Sequence, residues 1–195
     1  MSVSVLGAGR MGREILRVLA EDGGAGLRLG GLWVRRSDPA GDHELAQLVS
    51  AAGADISPDT DLEAVLATAD VAVDFTLPTA TADVLAVAVA TGTPLVCGVT
   101  GHEESGVEAL RAAARRIPLF HARNMSPGIA VLARLLREAG ELLGPGYAAV
   151  IDERHHAGKR DAPSGTALML GETLAGVRPD LEPGADPLPG GARGR

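Results

Sequence analysis

A chain of 195 residues holds one full domain and part of a second. Hydrophobic residues at 46% suffice for a buried core, aromatics at 2% mean that this core is built from Ala, Val and Leu, and a formal charge of −7 argues against nucleic acid or an anionic membrane as main partner. Cys97 is the single cysteine, which excludes an internal disulfide framework; with no apolar run of spanning length and no charged-then-apolar leader, the composition points to a soluble, acidic, cytoplasmic protein.

The run Ser2–Leu6 is short, apolar and closed by Gly7. Arg10–Glu21 then carries Met11, Ile15, Val18 and Leu19 at helical spacing, so the chain opens strand, tight turn, helix. Residues 27–34 read as a second strand, and His43–Ala52 as a helix with Leu45, Leu48 and Val49 on one face. Residues 71–75 form a compact apolar strand between Asp70 and the turn signal Leu77-Pro78. Helical spacing over 79–90 stops at Gly92-Thr93-Pro94; a strand at Leu95–Cys97, a helix over 103–116 and a strand at Leu119–His121 follow. Continuous apolar strands alternating with helices predict an α/β, Rossmann-type doubly wound parallel sheet, here assigned to residues 1–124.

Past Asn124 the pattern changes. Residues 126–143 form a long amphipathic helix with a Ser-Pro start and a Gly144-Pro145-Gly146 stop. Residues 147–151 read as a strand, and Ser164 as the N-cap of a helix to about Leu174. From 177 onward the chain is rich in Pro, Gly and Asp and reads as loop or disorder. Residues 125–195 are thus expected to be an incomplete α+β domain for substrate binding and oligomerisation. A strand at 147–151 needs ladder partners, and nothing after Thr166 resembles one, so an open apolar edge is expected there.

Gly7-Ala8-Gly9-Arg10-Met11-Gly12 is a GxGxxG run lying after a strand and opening a helix. The first glycine permits the sharp turn, the second lets backbone approach a pyrophosphate, and the third lets helix and strand pack closely. A Gly-rich turn in a chain with 26 glycines is the competing reading, but position and flanks favour a dinucleotide. The second strand ends Trp33-Val34-Arg35-Arg36, with no acid until Asp38 to grip ribose hydroxyls. An arginine there, such as Arg35, pairs with a 2′-phosphate, so the expected cofactor is NADPH, with NADH admissible; two solvated arginines are the alternative.

The segment Glu153-Arg154-His155-His156-Ala157-Gly158-Lys159-Arg160-Asp161-Ala162-Pro163-Ser164-Gly165-Thr166 concentrates chemistry. Lys159 is the only lysine where arginine is the default cation, which marks a position needing a transferable proton. Histidine titrates near neutral pH and can act as general acid. Ser164-Gly165-Thr166 bring free N–H groups and hydroxyls to a helix start, which suits a carboxylate. Paired zinc-binding histidines are disfavoured: neighbours on a strand point to opposite faces, and no nearby Cys or third His completes a site, so no metal is expected. A solvated charged turn is the other alternative.

This segment resembles the signature of the 4-hydroxy-tetrahydrodipicolinate reductase (dihydrodipicolinate reductase) family, Glu-x-His-His-x-x-Lys-x-Asp-Ala-Pro-Ser-Gly-Thr-Ala, and meets every fixed position from Glu153 to Ala167. Asp74-Phe75-Thr76 matches that family's turn after a sheet strand. Gly98-Val99-Thr100-Gly101 resembles its Gly-Thr-Thr-Gly loop, and Asn124-Met125-Ser126-Pro127-Gly128 its Asn-Phe-Ser-x-Gly hinge, with Met for Phe. The chain departs in its plain GxGxxG, where the family often has GxxGxxG, in Arg123 and Ala130, and in lacking the further strands and last helix.

The resemblance implies that Gly7, Gly9, Arg10, Met11 and Gly12 hold the dinucleotide, and that Phe75, Thr76, Gly98 and Thr100 line the nicotinamide, with Asn124 and Met125 also on the cofactor. His155 would donate the proton and Lys159 assist it and bind substrate, while His156, Ser164, Gly165 and Thr166 hold two carboxylates. The implied reaction is hydride transfer from NAD(P)H to the conjugated cyclic imine of 4-hydroxy-tetrahydrodipicolinate/dihydrodipicolinate, giving tetrahydrodipicolinate for diaminopimelate and lysine biosynthesis. The resemblance implies a homotetramer, which the family assembles through the end segment that this sequence lacks. The alternatives are a dinucleotide-binding module without turnover and another small-substrate dehydrogenase on the same fold.

Overall fold

The computed structural model describes residues 1–21, 26–35, 42–53, 56–155 and 163–181. The chain divides into two compact units, Met1–Ala122 and Arg123–Arg195, each taken by itself below.

In the first unit the apolar runs become strands β1 (Ser2–Leu6), β2 (Arg28–Trp33), β3 (Pro58–Asp59), β4 (Val71–Asp74), β5 (Leu95–Cys97) and β6 (Leu119–His121). All pair in parallel, in the order β3-β2-β1-β4-β5-β6. The connections are helices α1 (Arg10–Glu21), α2 (His43–Ala52), α3 (Leu62–Ala67), α4 (Thr81–Thr91) and α5 (Glu104–Ala113). This is the expected doubly wound sheet, and its strand order reverses at β1. Register sets Asp59, Trp33, Leu6, Asp74, Cys97 and His121 in one row at the carboxyl ends, so the loops that follow share one rim.

Strand side chains alternate between faces, and β1 feeds both cores. Val5 joins Leu16, Leu19, Leu29, Leu32, Leu45 and Val49 on the side of α1 and α2. Leu6 joins Val65, Leu66, Val84, Leu85, Leu95 and Leu110 on the side of α3, α4 and α5. Ser2 and Ser4 are buried too, and each hydroxyl finds a partner. Ser4 Oγ donates to the Val65 carbonyl at 2.9 Å, and Ser2 donates through its amide and hydroxyl to Asp70 Oδ2 at 2.6 and 3.1 Å. These bonds hold the Asp70 carboxyl below its ordinary range.

β3 and α3 are additions to the sequence reading. β3 is two residues long and begins with a proline, which is tolerated at a sheet edge because it has no N–H to offer a further strand. α3 is six residues long, too short for a period to emerge; its start is set by the Asp61 carboxylate, which accepts from Glu63 N and Ala64 N. α3 packs where β2 carries Gly30-Gly31: a Cβ on Gly31 would stand 3.1 Å from both Ser4 Oγ and Val65 Cγ1.

The second unit contains α6 (Pro127–Leu143), a tight turn at Gly144–Gly146 and α7 (Gly165–Ala175). Gly140 lets the two helices meet, since a Cβ there would lie 2.8 Å from Leu174 Cδ1. The strand expected at 147–151 is not formed. Among the described residues the segment pairs with no strand, and Tyr147, Val150 and Ile151 are exposed. A β-rich, apolar composition favours extended chain, but a strand exists only where a neighbour supplies its hydrogen bonds. One ordered contact beyond α7 was not foreseen: the buried Arg178 donates to the Tyr147 carbonyl at 3.1 Å and to both oxygens of Asp180. No helix among the described residues is long and apolar enough to cross a membrane.

α1 lies close against the turn after β1, where a Cβ on Gly12 would collide with the Gly7 carbonyl. Gly12→Ala should therefore lower the first unit's stability by about 1–3 kcal/mol, the usual scale of overpacking. Gly9→Ala, at an exposed position whose Cβ meets nothing within 4 Å, should leave it nearly unchanged. Urea unfolding of the two variants checks this; equal midpoints would mean that α1 is free to shift.

Candidate functional site

Where the strand order reverses, the ends of β1, β2, β3 and β4 surround a cleft of about 520 Å³. Gly7, Ala8 and Gly9 form one wall, Trp33, Val34 and Arg35 a second, and Phe75, Thr76 and Leu77 a third, while Arg13, Asp42, Leu45 and Pro58 complete the lining. Gly7 has φ +98°, and a Cβ there would stand 3.2 Å from the Phe75 carbonyl, so both backbone freedom and space require glycine. The first turn of α1 carries no acidic side chain, which leaves its N–H groups and positive dipole end available to an anion.

Among the described lining residues the charged side chains are Arg13, Arg35 and Asp42. Arg13 Nε donates to the Ala8 carbonyl at 3.1 Å, while its fork grips Asp42 and reaches Glu44 at 3.2 Å. Asp42 in turn caps α2 by accepting from Leu45 N at 3.0 Å. Its hydrogen bonds from Arg13 and then Leu45 hold this carboxyl below its ordinary range. Arg35 Nη2 donates to Thr79 Oγ1 at 3.1 Å.

Behind the cleft lies Asp74, only 1% exposed, with Oδ1 accepting from Thr76 N at 2.9 Å. Burial pushes its pKa up, and likewise lifts the neighbouring Cys97 thiol to about 11. The Phe75 ring rests on Gly98, where a Cβ would fall 2.8 Å from Cδ1. The loop after β5 is tied down by imidazoles: His121 Nε2 lies 3.1 Å from the Val99 carbonyl, and His102 Nε2 lies 2.9 Å from Thr81 Oγ1.

Of the residues expected on the cofactor, Gly7, Gly9, Arg35, Phe75 and Thr76 line the cleft. Gly12 is buried under the turn, and Arg10 and Met11 are exposed at the start of α1. Gly98 and Thr100 stand in the loop behind Phe75, outside the lining. Arg36 lies outside the described residues. Arg13 and Asp42 were not singled out from sequence. Their partnership spans 29 positions, and no local pattern announces it.

In the second unit the first turn of α7 gathers a polar cluster. Glu153 Oε1 accepts from Ser164 N and Oε2 from His155 Nε2, both at 2.8 Å. Ser164 Oγ caps the helix by accepting from Ala167 N at 3.0 Å, as the sequence led us to expect. Asn124 Nδ2 donates to Thr166 Oγ1 at 3.0 Å and its Oδ1 accepts from Ser126 N, while Arg123 forks onto Glu172. His155, Ser164, Thr166 and Asn124 are thus brought to one helix start, which Gly165 opens. Met125 is exposed. His156 and Lys159 lie outside the described residues. Glu153, a fixed position of the quoted motif, had been given no role. Alternation along extended chain puts Glu153 and His155 on one side, and that was the available signal.

Residues 1–125 match the family model described as dihydrodipicolinate reductase, N-terminus, and residues 128–192 that described as dihydrodipicolinate reductase, C-terminus. The chain is similar to the 4-hydroxy-tetrahydrodipicolinate reductase of Alkalilimnicola ehrlichii, 42% identical over 178 residues, covering 89% of this chain and 64% of that protein. It is equally similar to that of Rubrobacter xylanophilus, 42% identical over 179 residues, with 90% and 65% covered. The chain thus spans just under two thirds of the length of these curated relatives. Among solved structures it resembles the dipicolinate-bound dihydrodipicolinate reductase of Paenisporosarcina sp. TG-14, with TM-score 0.71, 24% identity, and 100% of this chain and 74% of that one covered. The likeness to myo-inositol 2-dehydrogenase of Lactobacillus plantarum, TM-score 0.56 and 13% identity, covers 73% of this chain and 42% of that one. At these identities both likenesses speak to fold.

Hydrogen bonds from Ser164 above all, and then from His155, pull the Glu153 carboxyl from its ordinary value down to about 2. A carboxylate whose pKa is depressed by folding contributes fully above its unfolded pKa and loses that contribution as pH falls through the folded one. The Ser164 amide should therefore stay protected from exchange at neutral pH and lose protection as pH falls from about 4.5 toward 2. Glu153→Gln should weaken protection at neutral pH and remove the acid step. Amide exchange followed by NMR reads both, and an unchanged acid step in the variant would exclude Glu153 as its source.

Proposed function

This chain belongs to the dihydrodipicolinate reductase family, and on that premise we propose that its protein uses NAD(P)H, NADPH being preferred, to reduce the conjugated cyclic imine of dihydrodipicolinate, which forms from 4-hydroxy-tetrahydrodipicolinate by loss of the hydroxyl as water. The observation that carries this reading is the Glu153 clasp, which holds an imidazole at the anion-attracting start of α7.

The cleft fits a dinucleotide on three counts: glycine backbone at Gly7 and Gly9, a helix start free of acids, and a cation beyond β2. Residues 1–124 serve the cofactor. Gly7, Gly9, Arg10 and Met11 take its pyrophosphate, Gly12 lets α1 close in, Arg35 pairs with the 2′-phosphate, and Phe75, Thr76, Gly98 and Thr100 serve the nicotinamide end. When bound, the reduced nicotinamide supplies a hydride.

Residues 125–195 serve the substrate, with Asn124 and Met125 at their boundary contributing to the cofactor. Ser164, Gly165, Thr166 and His156 bind the two carboxylates through hydroxyls, N–H groups and the helix dipole. His155 donates through Nε2 to Glu153, which orients the ring, and the proton for the substrate nitrogen leaves from Nδ1. Lys159 adds a compact positive charge and a second transferable proton, which an arginine would not release. This work belongs in the cytoplasm, on the route to diaminopimelate and lysine.

Trp33 lines the cleft and is the sole tryptophan, so its fluorescence reports nucleotide binding. NADPH is expected to bind more tightly than NADH, with Arg35→Ala weakening NADPH by roughly tenfold or more, the scale of a lost charge-assisted hydrogen bond. Gly9→Ala should abolish binding while leaving stability intact. In a steady-state reductase assay, His155→Ala should lower kcat by about a hundredfold or more at unchanged NADPH affinity. A clear NADH preference indifferent to Arg35→Ala would defeat the cofactor assignment, and equal loss of turnover and affinity in His155→Ala would make that residue structural.

A further inference from the structure

The charged side chains among the described lining of the cleft are Arg13, Arg35 and Asp42. Arg13 and Asp42 are joined through the guanidinium fork and cancel, so this lining carries one net positive charge, that of Arg35. We infer that Asp42 is a specificity-determining residue: by neutralising Arg13 it limits how strongly the cleft favours a 2′-phosphorylated dinucleotide over an unphosphorylated one. This rests on the dinucleotide reading above and adds to it the N-cap residue of α2, outside the glycine motif and beyond the end of β2.

A phosphate monoester carries between one and two negative charges at neutral pH, whereas a ribose hydroxyl carries none. A carboxylate lining the same cleft repels the pyrophosphate of either dinucleotide, but it meets an additional anion only in the 2′-phosphorylated one. Within a cleft the separation falls inside the Debye length of about 8–10 Å, so salt does not erase the effect at physiological strength. Asp42 is ionised there, since hydrogen bonds from Arg13 and Leu45 N favour its charged form. Arg13 has two other anchors, the Ala8 carbonyl and Glu44, so it keeps its place when Asp42 loses its charge.

Asp42→Asn separates charge from structure. Asparagine caps helices as well as aspartate does, so the bond to Leu45 N survives and α2 keeps its start. NADPH and NADH affinities of wild type, Asp42→Asn and Arg35→Ala would be measured by Trp33 fluorescence at low and high salt. Asp42→Asn should bind NADPH about fivefold tighter at low salt and NADH within about twofold of wild type, with the gain shrinking at high salt. Unchanged NADPH affinity, or equal shifts for both nucleotides, would overturn the inference. The Arg35→Ala arm tests the underlying reading separately. If Arg35→Ala erases discrimination while Asp42→Asn does nothing, the inference alone fails; if neither nucleotide binds wild type, the reading fails with it.

Discussion

Gly12 has no side chain, so the first turn of α1 rests directly on the Gly7 carbonyl, and the rest of the cleft is arranged around that contact. With α1 so close, its N-terminal amides stand at the carboxyl end of β1, beside the reversal of strand order. The same closeness sets Gly7 against the Phe75 carbonyl, which brings the turn after β4 into the opposite wall. Arg13, one residue beyond the contact, can then reach both the glycine turn and the start of α2. One missing methyl group thus fixes the spacing of three loops.

Surface carboxylates of an acidic chain serve solubility. Here several fasten helix starts instead. Asp61 caps α3, Asp42 caps α2 while holding Arg13, and Glu153 accepts from the N-cap residue of α7 while holding His155. In the last two cases a single carboxylate joins a helix N-terminus to a side chain with its own chemistry. Helix start and reactive group therefore cannot move independently. A carboxylate suits this task because it offers two acceptor oxygens on a short stem and is attracted to the positive end of the dipole.

How much of this could be read from the residues depended on how local each cause was. The sheet was legible because its strands are continuous apolar runs and its helices carry a period, both visible within about a dozen residues. β3 and α3 were not, being two and six residues long. The misread strand at 147–151 shows the other limit: apolar composition speaks to extension, whereas a ladder depends on chain far away. The same division runs through the candidate site. GxGxxG and the Ser164 cap are short patterns with local meaning. The Asn124–Thr166 bond spans 42 positions and the Arg13–Asp42 pair 29, and both follow only from the finished packing.

Cys97 sits at the end of β5, fully buried between Asp74 and His121 in the row of strand ends, with its thiol lifted to about 11. Only a thiolate attacks an alkylating reagent, and here neither access nor ionisation is available while the sheet is closed. Because the chain has no other cysteine, its labelling rate is a built-in clock for the opening of β5. Anything that braces the neighbouring loops slows that clock, so occupancy of the cleft becomes readable in the chemistry of a sulfur atom that never touches it.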